Sequence, residues 1–193
     1  MDAGEAQPGR GKTAITLCGS LRRGSVNEIL RRHMSGALRA AGVAVTDLSL
    51  ADYEMPVFNV DLEAEHTPES ARRLADAFRS HDIVFLATPE YNGGVPPLVV
   101  NTIAWLSRQK PSPFRHAVFG IGGVSSGKYG TIWSLSHLRD SLSKIGALVV
   151  PTLLGIGPDE GAFDGNGAPV ESAIQYKVGQ MVRELTHFSR GGI

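Results

Sequence analysis

Residues 20–27 read SLRRGSVN and place two hydroxyls (Ser20, Ser25), two guanidinium groups (Arg22, Arg23) and an amide (Asn27) in one short connection. The apolar run AITLCG (14–19) precedes them, and a helical pattern begins at about Val26. Donors crowded ahead of a helix suit an anion, because the first N–H groups of a helix are unpaired and its dipole favours negative charge. Arg22 adds a forked donor pair that matches a phosphate. A second reading competes. Ser25-x-x-Glu28 spells a capping box, in which the two side chains close the helix start on itself. Glu28 would also repel a phosphate unless it points outward. A helix start has N–H groups enough for both a cap and an anion. The stretch contains neither G-x-G-x-x-G nor a Gly-Lys-Ser/Thr loop, so the dinucleotide and P-loop fingerprints do not apply.

Two further stretches could bind a ligand. TPEYNGGVPP (88–97) offers Pro89 to pin the chain, Tyr91 and Asn92 as an aromatic face and an amide, and Gly93 and Gly94 for close backbone approach. Pro, Asn and Gly are also ordinary turn residues, but this loop is longer than most strand-to-helix turns. GGVSSGKYG (122–130) is Gly-rich and can present backbone N–H groups to a planar acceptor, or serve simply as a flexible turn.

These loops have to be held by regular elements. Strands are expected at 14–19, 43–50, 82–88, 116–123 and 147–157, mostly as continuous apolar runs that suit strands buried on both faces. Helices are expected from about Val26 to Ala41, with an apolar stripe from Ile29, and over Pro68 to Arg79 (with Thr67 as N-cap), Leu98 to Ser107, Tyr129 to Ile145 and Glu171 to Ser189, with a long polar loop over 51–70. Strict strand–helix alternation predicts an α/β three-layer sandwich, with helices on both faces of an open parallel sheet. Five strands favour the order 2-1-3-4-5, in which a ligand sits at the C-terminal ends of strands 1, 3 and 4. The three stretches above follow those three strands.

Composition narrows the function. The chain has 193 residues, 19 Lys plus Arg against 19 Asp plus Glu, and 42% apolar residues, which fits a single globular domain over 13–193 behind a polar, disordered leader over 1–12. Zero net charge gives no field for nucleic acid or an anionic membrane, and no apolar run reaches the ~18 residues of a membrane span. A lone Cys18 excludes an internal disulfide and favours a cytoplasmic protein.

GSLRRGSVN (19–27) and PEYNGGVPPLVVNTIAWLSR (89–108) closely resemble the NADPH-dependent FMN reductase family, which has a flavodoxin-like fold and includes bacterial quinone and chromate reductases. The family's first motif, G-S-L-R-x-G-S-x-N, matches at every fixed position, with Arg23 at its variable one. The resemblance implies that Ser20, Arg22, Ser25, Val26 and Asn27 hold the FMN phosphate. It implies that Pro89, Glu90, Tyr91, Asn92 and Gly93 line the isoalloxazine ring, mainly through backbone groups, and that Ser125 reaches the ring or ribityl chain from the other side. It further implies NADPH or NADH as reductant, ping-pong hydride transfer to a quinone-like or other small acceptor, and a homodimer or homotetramer. The flavin carries the redox chemistry, so no catalytic acid, base or metal is assigned. Two rivals remain: a flavodoxin-type electron carrier, and a phosphate-ester-binding regulatory module without flavin. The chain departs from the family pattern at Pro97 (usually Gly), Val100 (often Lys) and Ala104 (often Asp), and 135–139 read LSHLR where the family has QYHLR.

Other reactive residue types have simpler roles. Cys18 is expected to be a small buried hydrophobe. The six histidines (33, 66, 81, 116, 137, 187) lack metal spacing. The Glu90 carboxylate is expected to face solvent or a partner, and Trp105 and Trp133 to serve packing or an interface. Ser107 and Ser134 lie outside any G-x-S-x-G turn.

Overall fold

The computed structural model describes residues 11–189; of the leader expected over 1–12, all but Gly11 and Lys12 lies outside the described residues. Strands β1 (Thr13–Cys18), β2 (Ala44–Asp47), β3 (Ile83–Ala87), β4 (Val118–Val124) and β5 (Leu148–Ile156) form one parallel sheet in the order β2-β1-β3-β4-β5. The helices are α1 (Val26–Ala40), α2 (Val60–Glu65), α3 (Glu69–Arg79), α4 (Pro97–Ser107), α5 (Ile132–Lys144) and α6 (Ser172–His187). This is the flavodoxin-like order expected from the alternation of elements.

Strand periodicity divides the core into two layers. Ile83, Phe85 and Ala87 of β3 pack among Leu30, Met34 and Leu38 of α1 and Met181 and Leu185 of α6. Val84 and Leu86 point the other way, among Leu74 and Phe78 of α3, Trp105 and Leu106 of α4, and Leu138 of α5. Each such side chain contributes about 1.5–3 kcal/mol by leaving water, so a run that is apolar at every position is fixed in the middle of the sheet.

The boundaries differ where one strand or one cap decides. β2 pairs only with β1, from Thr13↔Ala44 to Thr16↔Asp47, and then turns into a 3₁₀ segment, Leu50–Tyr53, begun by Ser49 accepting from the Ala51 N–H. The polar loop over 51–70 contains α2, which Asn59 caps through the Asp61 N–H at 2.8 Å. Pro68, not Thr67, occupies the N-cap position of α3, without a side-chain hydrogen bond. Residues 129–131 lie outside α5, with Gly130 in the left-handed region at φ 62°. No helix among the described residues is long and apolar enough to cross a membrane.

Candidate functional site: three loops at the C-terminal edge of the sheet

The chain leaves β1 toward β2 on one side and returns to β3 on the other, which opens a crevice at the strand C-termini. Gly19 still donates to the Ala87 carbonyl at 2.7 Å, so loop one (20–25) departs directly beside loop two (88–96). Within loop one, the Ser25 N–H donates to the Arg22 carbonyl at 3.1 Å and the Arg22 N–H to Ser20 Oγ at 3.3 Å. Among the described residues, the N–H groups of Leu21, Arg23, Gly24, Val26 and Asn27 donate to nothing. The Arg22 side chain is exposed and makes no hydrogen bond or ion pair with any described residue. Loop one therefore keeps a set of donors available to an anion.

The capping box does not form. Ser25 sits at the N-cap of α1 but its side chain caps nothing. Its hydroxyl is buried near the Cys18 thiol, which burial pushes to a higher pKa and the Ser20 N–H and Ser25 hydroxyl pull back down. Glu28 turns along α1 toward Arg31 and Arg32. Arg31 grips it with Nε at 2.8 Å and Nη2 at 2.7 Å, and Arg32 Nε adds a third bond at 3.0 Å. The Arg31 bonds hold the Glu28 carboxyl below the usual range against the opposing effect of burial. Arg31 itself is buried and continues to Thr16 Oγ1 at 2.9 Å and to Asp47, which Ser35 and Arg39 also bind. Burial would raise the Asp47 pKa, but bonds from Arg39, Ser35 and Thr16 and the Arg31 charge leave it far below the ordinary carboxylate value. The acid that opposed a phosphate is thus consumed in anchoring α1 to β1 and β2.

This network predicts an acid-labile anchor. Both carboxyl groups have depressed folded-state pKa values, so their contribution is complete above the unfolded values of about 4 and is lost as pH falls below them. Urea midpoints of wild type should fall steeply from about pH 4 downward. Asp47→Asn should be less stable at pH 7 and show a shallower fall; identical pH profiles would remove Asp47 from the anchor.

Asn27 was expected to offer its amide to a phosphate. Instead its side chain is a buried strut, accepting the Val124 N–H and donating to the Val124 carbonyl, each at 2.9 Å. It joins the start of α1 to the end of β4, and only its backbone N–H is left for the crevice. Ser25 is 4% exposed and Asn27 1%, so Ser20 and Arg22 are the polar side chains at fixed positions of the motif that reach solvent, and Arg23 at its variable position does so too.

Loop two contains a two-residue turn. Tyr91 and Gly94 exchange N–H···O bonds of 3.0 and 2.9 Å across Asn92 (φ 52°) and Gly93 (φ 74°). Two successive positive φ values define a type I′ turn, for which Asn-Gly is the preferred pair. The Glu90 carboxylate, half-buried, accepts the Ser134 N–H at 2.9 Å in the first turn of α5. The Ser134 hydroxyl donates to the Pro89 carbonyl at 3.2 Å. The N–H groups of Glu90, Asn92 and Gly93 have no partner among the described residues.

Loop three leaves β4 with the Ser125 N–H on the Ile156 carbonyl at 3.1 Å; Ser125 is half-buried and 126–129 are exposed. Behind it lies Thr131, wholly buried, whose Oγ1 has no hydrogen-bond partner among the described residues. Tyr91, Tyr129 and Trp133 are exposed around this end of the sheet. Trp105 is buried, with Nε1 on the Pro56 carbonyl at 2.8 Å and Phe58 edge-on at 5.0 Å.

The structure thus gathers Ser20, Arg22, Ser25, Val26, Asn27, the 89–93 turn and Ser125 at the ends of β1, β3 and β4. It adds two bridging residues, Val124 and Ser134, to which the sequence reading gave no role at the site. A flavodoxin-like sheet with a basic, N–H-rich first loop and two backbone-rich loops beside it is an arrangement that suits a phosphate-bearing planar ligand. The chain belongs to the NADPH-dependent FMN reductase family, whose profile matches residues 13–160. It is 31% identical over 174 residues to an NAD(P)H-dependent FMN reductase of Pseudomonas aeruginosa, covering 89% of this chain and 91% of that one. It is 36% identical over 138 residues to a quinone reductase of Escherichia coli, covering 70% and 72%. The flavoenzyme NAD(P)H:(acceptor) oxidoreductase FerB of Paracoccus denitrificans superposes with a TM-score of 0.77 at 26% identity, over 91% of this chain and 95% of that one. The protein is accordingly an oxidoreductase that uses FMN with a reduced nicotinamide.

Proposed function

We propose that the protein passes electrons from NAD(P)H, through FMN held by the three loops, to a quinone-like or other small acceptor in a ping-pong cycle. The observation that carries this reading is the set of unpartnered N–H groups in loops one and two beside the free Arg22 guanidinium. When bound, FMN supplies the two-electron chemistry that links the nicotinamide to the acceptor. The chain supplies binding and orientation. Arg22, the Ser20 hydroxyl and the N–H groups of Leu21, Arg23, Gly24, Val26 and Asn27 would hold the phosphate. The N–H groups of Glu90, Asn92 and Gly93 would meet the hydrogen-bonding edge of the ring, with Ser125 opposite.

Purified protein should be yellow with flavin absorption bands, should oxidise NADPH or NADH rapidly with quinones, and should give parallel double-reciprocal lines. A colourless protein that takes up no FMN would sink the reading in favour of a flavin-free regulatory module. Flavin without nicotinamide oxidation, whatever the acceptor, would point to an electron carrier. Zero net charge and an arginine in the phosphate loop favour the enzyme over that carrier.

A homodimer belongs to the same reading. Val57, Val60 and Val100 are 84%, 62% and 51% exposed, and Val57 and Val100 line an apolar groove with Phe58, Pro97, Leu98 and Ala104. Three of the departures from the family pattern, Pro97, Val100 and Ala104, fall in this groove, and Val100 and Ala104 put apolar surface where the family often has Lys and Asp. A second copy would remove that surface from water. Light scattering should report at least a dimer, and a stable, fully active monomer would overturn this assignment.

A further inference from the structure

We infer that Glu90 is a positioning residue, whose carboxylate, locked on the N-terminus of α5, sets loop two in its flavin-ready shape before FMN arrives. Loop two has few ties of its own. Upstream, Thr88 is held in the sheet by the Gly122 carbonyl at 2.8 Å. Downstream, the turn at Asn92–Gly93 is closed by Tyr91 and Gly94 pairing with each other. Besides a bond from the adjacent Thr88 Oγ1 to the Pro89 carbonyl at 3.3 Å, the hydrogen bonds that tie residues 89–94 to the rest of the described residues both come from Ser134: its N–H to Glu90 Oε2 and its Oγ to the Pro89 carbonyl. One residue of α5 therefore clamps two consecutive residues of the loop.

The clamp is chemically well matched. Ser134 is the third residue of α5, and its N–H is one of the helix's unpaired donors, because the N-cap Thr131 makes no side-chain cap. A carboxylate satisfies such a donor and interacts favourably with the positive end of the helix dipole. With Glu90 so committed, its charge is directed at the helix and not at the crevice, and the N–H groups of Glu90, Asn92 and Gly93 are left unpaired for a ligand. Ser134 and its helix also border loop three, so the same bonds fix the spacing of the two loops between which a flat ring would lie. A loop held in its bound shape in advance avoids the ordering cost that binding would otherwise meet.

This inference rests on the FMN reading above, and the test separates the two. Apoprotein is titrated with FMN by quenching of flavin fluorescence, and amide hydrogen exchange of residues 90–94 is followed in the same apoprotein. Glu90→Ala should raise the FMN dissociation constant about tenfold, the worth of a lost helix cap. Exchange should quicken in 90–94 while the central strands keep their protection. Glu90→Gln retains an acceptor oxygen and should stay within about threefold of wild type. Ser134→Ala keeps the N–H and loses only the Pro89 bond, so it should fall between them. A merely structural Glu90 would lower the melting temperature without moving FMN affinity or local exchange, and that result would overturn the inference. Should Glu90→Ala not fold, Glu90→Asp carries the same test, because its shorter arm withdraws from Ser134; wild-type FMN affinity there would overturn it equally. If wild-type apoprotein takes up no FMN, both the inference and the reading beneath it fall.

Discussion

Gly123→Ala should cost about 3 kcal/mol or more in urea unfolding of the apoprotein and abolish FMN uptake with it. A Cβ at Gly123 would stand 2.1 Å from the Thr88 carbonyl oxygen and 2.6 Å from Thr131 Oγ1. Overpacking is tolerated where a flexible side-chain end can swing aside, but the first of these contacts is backbone. Thr88 is pinned by its N–H on Gly122, and Gly123 is paired with Gly155 of β5, so neither strand can yield alone. The displaced atoms are those from which loops two and three depart, which is why binding should fail along with stability. Gly36 provides the opposite sign. It lies within α1, and a Cβ there meets no heavy atom within 4 Å. Gly36→Ala should stabilise the protein by about 0.5–1 kcal/mol through helix propensity alone. An unchanged urea midpoint for Gly123→Ala would show that the ends of β3 and β4 are far more compliant than their hydrogen bonds imply.

The central strands were legible because burial on both faces writes itself as an uninterrupted apolar run, as in IVFLA of β3. β2 was overdrawn, since the alternation of 43–50 continues past Asp47 while its only neighbour, β1, ends as a pairing partner at Thr16. α2 went unseen for a different reason. It is six residues long and buries none of them, so it lacks the apolar stripe that marks a helix, although Asn59 was a readable cap signal. At the site, the three loops could be placed from topology alone, but the bonds between them could not. Glu90 and Ser134 are 44 positions apart, and Asn27 and Val124 are 97 apart. Nothing local in a single sequence couples such pairs. Glu28 is the instructive middle case. The capping box and the Glu28–Arg31 and Glu28–Arg32 spacings are equally local signals that claim one carboxylate. The choice is made by Asp47 and Thr16, which bury Arg31 and fix its guanidinium where Glu28 can be gripped from two sides. The same choice pairs with two arginines the negative charge that stood against an anion at loop one.

Arg22 and Arg23 then make the decisive pair for the phosphate. Both are exposed in loop one, and neither side chain has a hydrogen bond or ion pair among the described residues. Composition and exposure therefore do not distinguish them, whereas the motif makes Arg22 fixed and Arg23 variable. Arg22→Ala should weaken FMN binding by roughly 1.5–3 kcal/mol, the worth of a hydrogen bond to a charged group, or about one to two orders of magnitude in dissociation constant. Arg22→Lys should recover only part of this, because an ammonium cannot reproduce the two-pronged contact. Arg23→Ala should shift affinity by no more than a surface charge does, and that shift should vanish as salt is raised. Riboflavin, which lacks the phosphate, supplies the internal control: its weaker binding should be insensitive to Arg22→Ala. If riboflavin and FMN lose affinity alike, Arg22 acts on the shape of the loop and not on the phosphate. If neither loses any, the anion is held by the N–H groups of Leu21, Arg23, Gly24, Val26 and Asn27 alone. The melting temperature of the apoprotein should be the same in all these variants, since the Arg22 side chain makes no hydrogen bond or ion pair among the described residues.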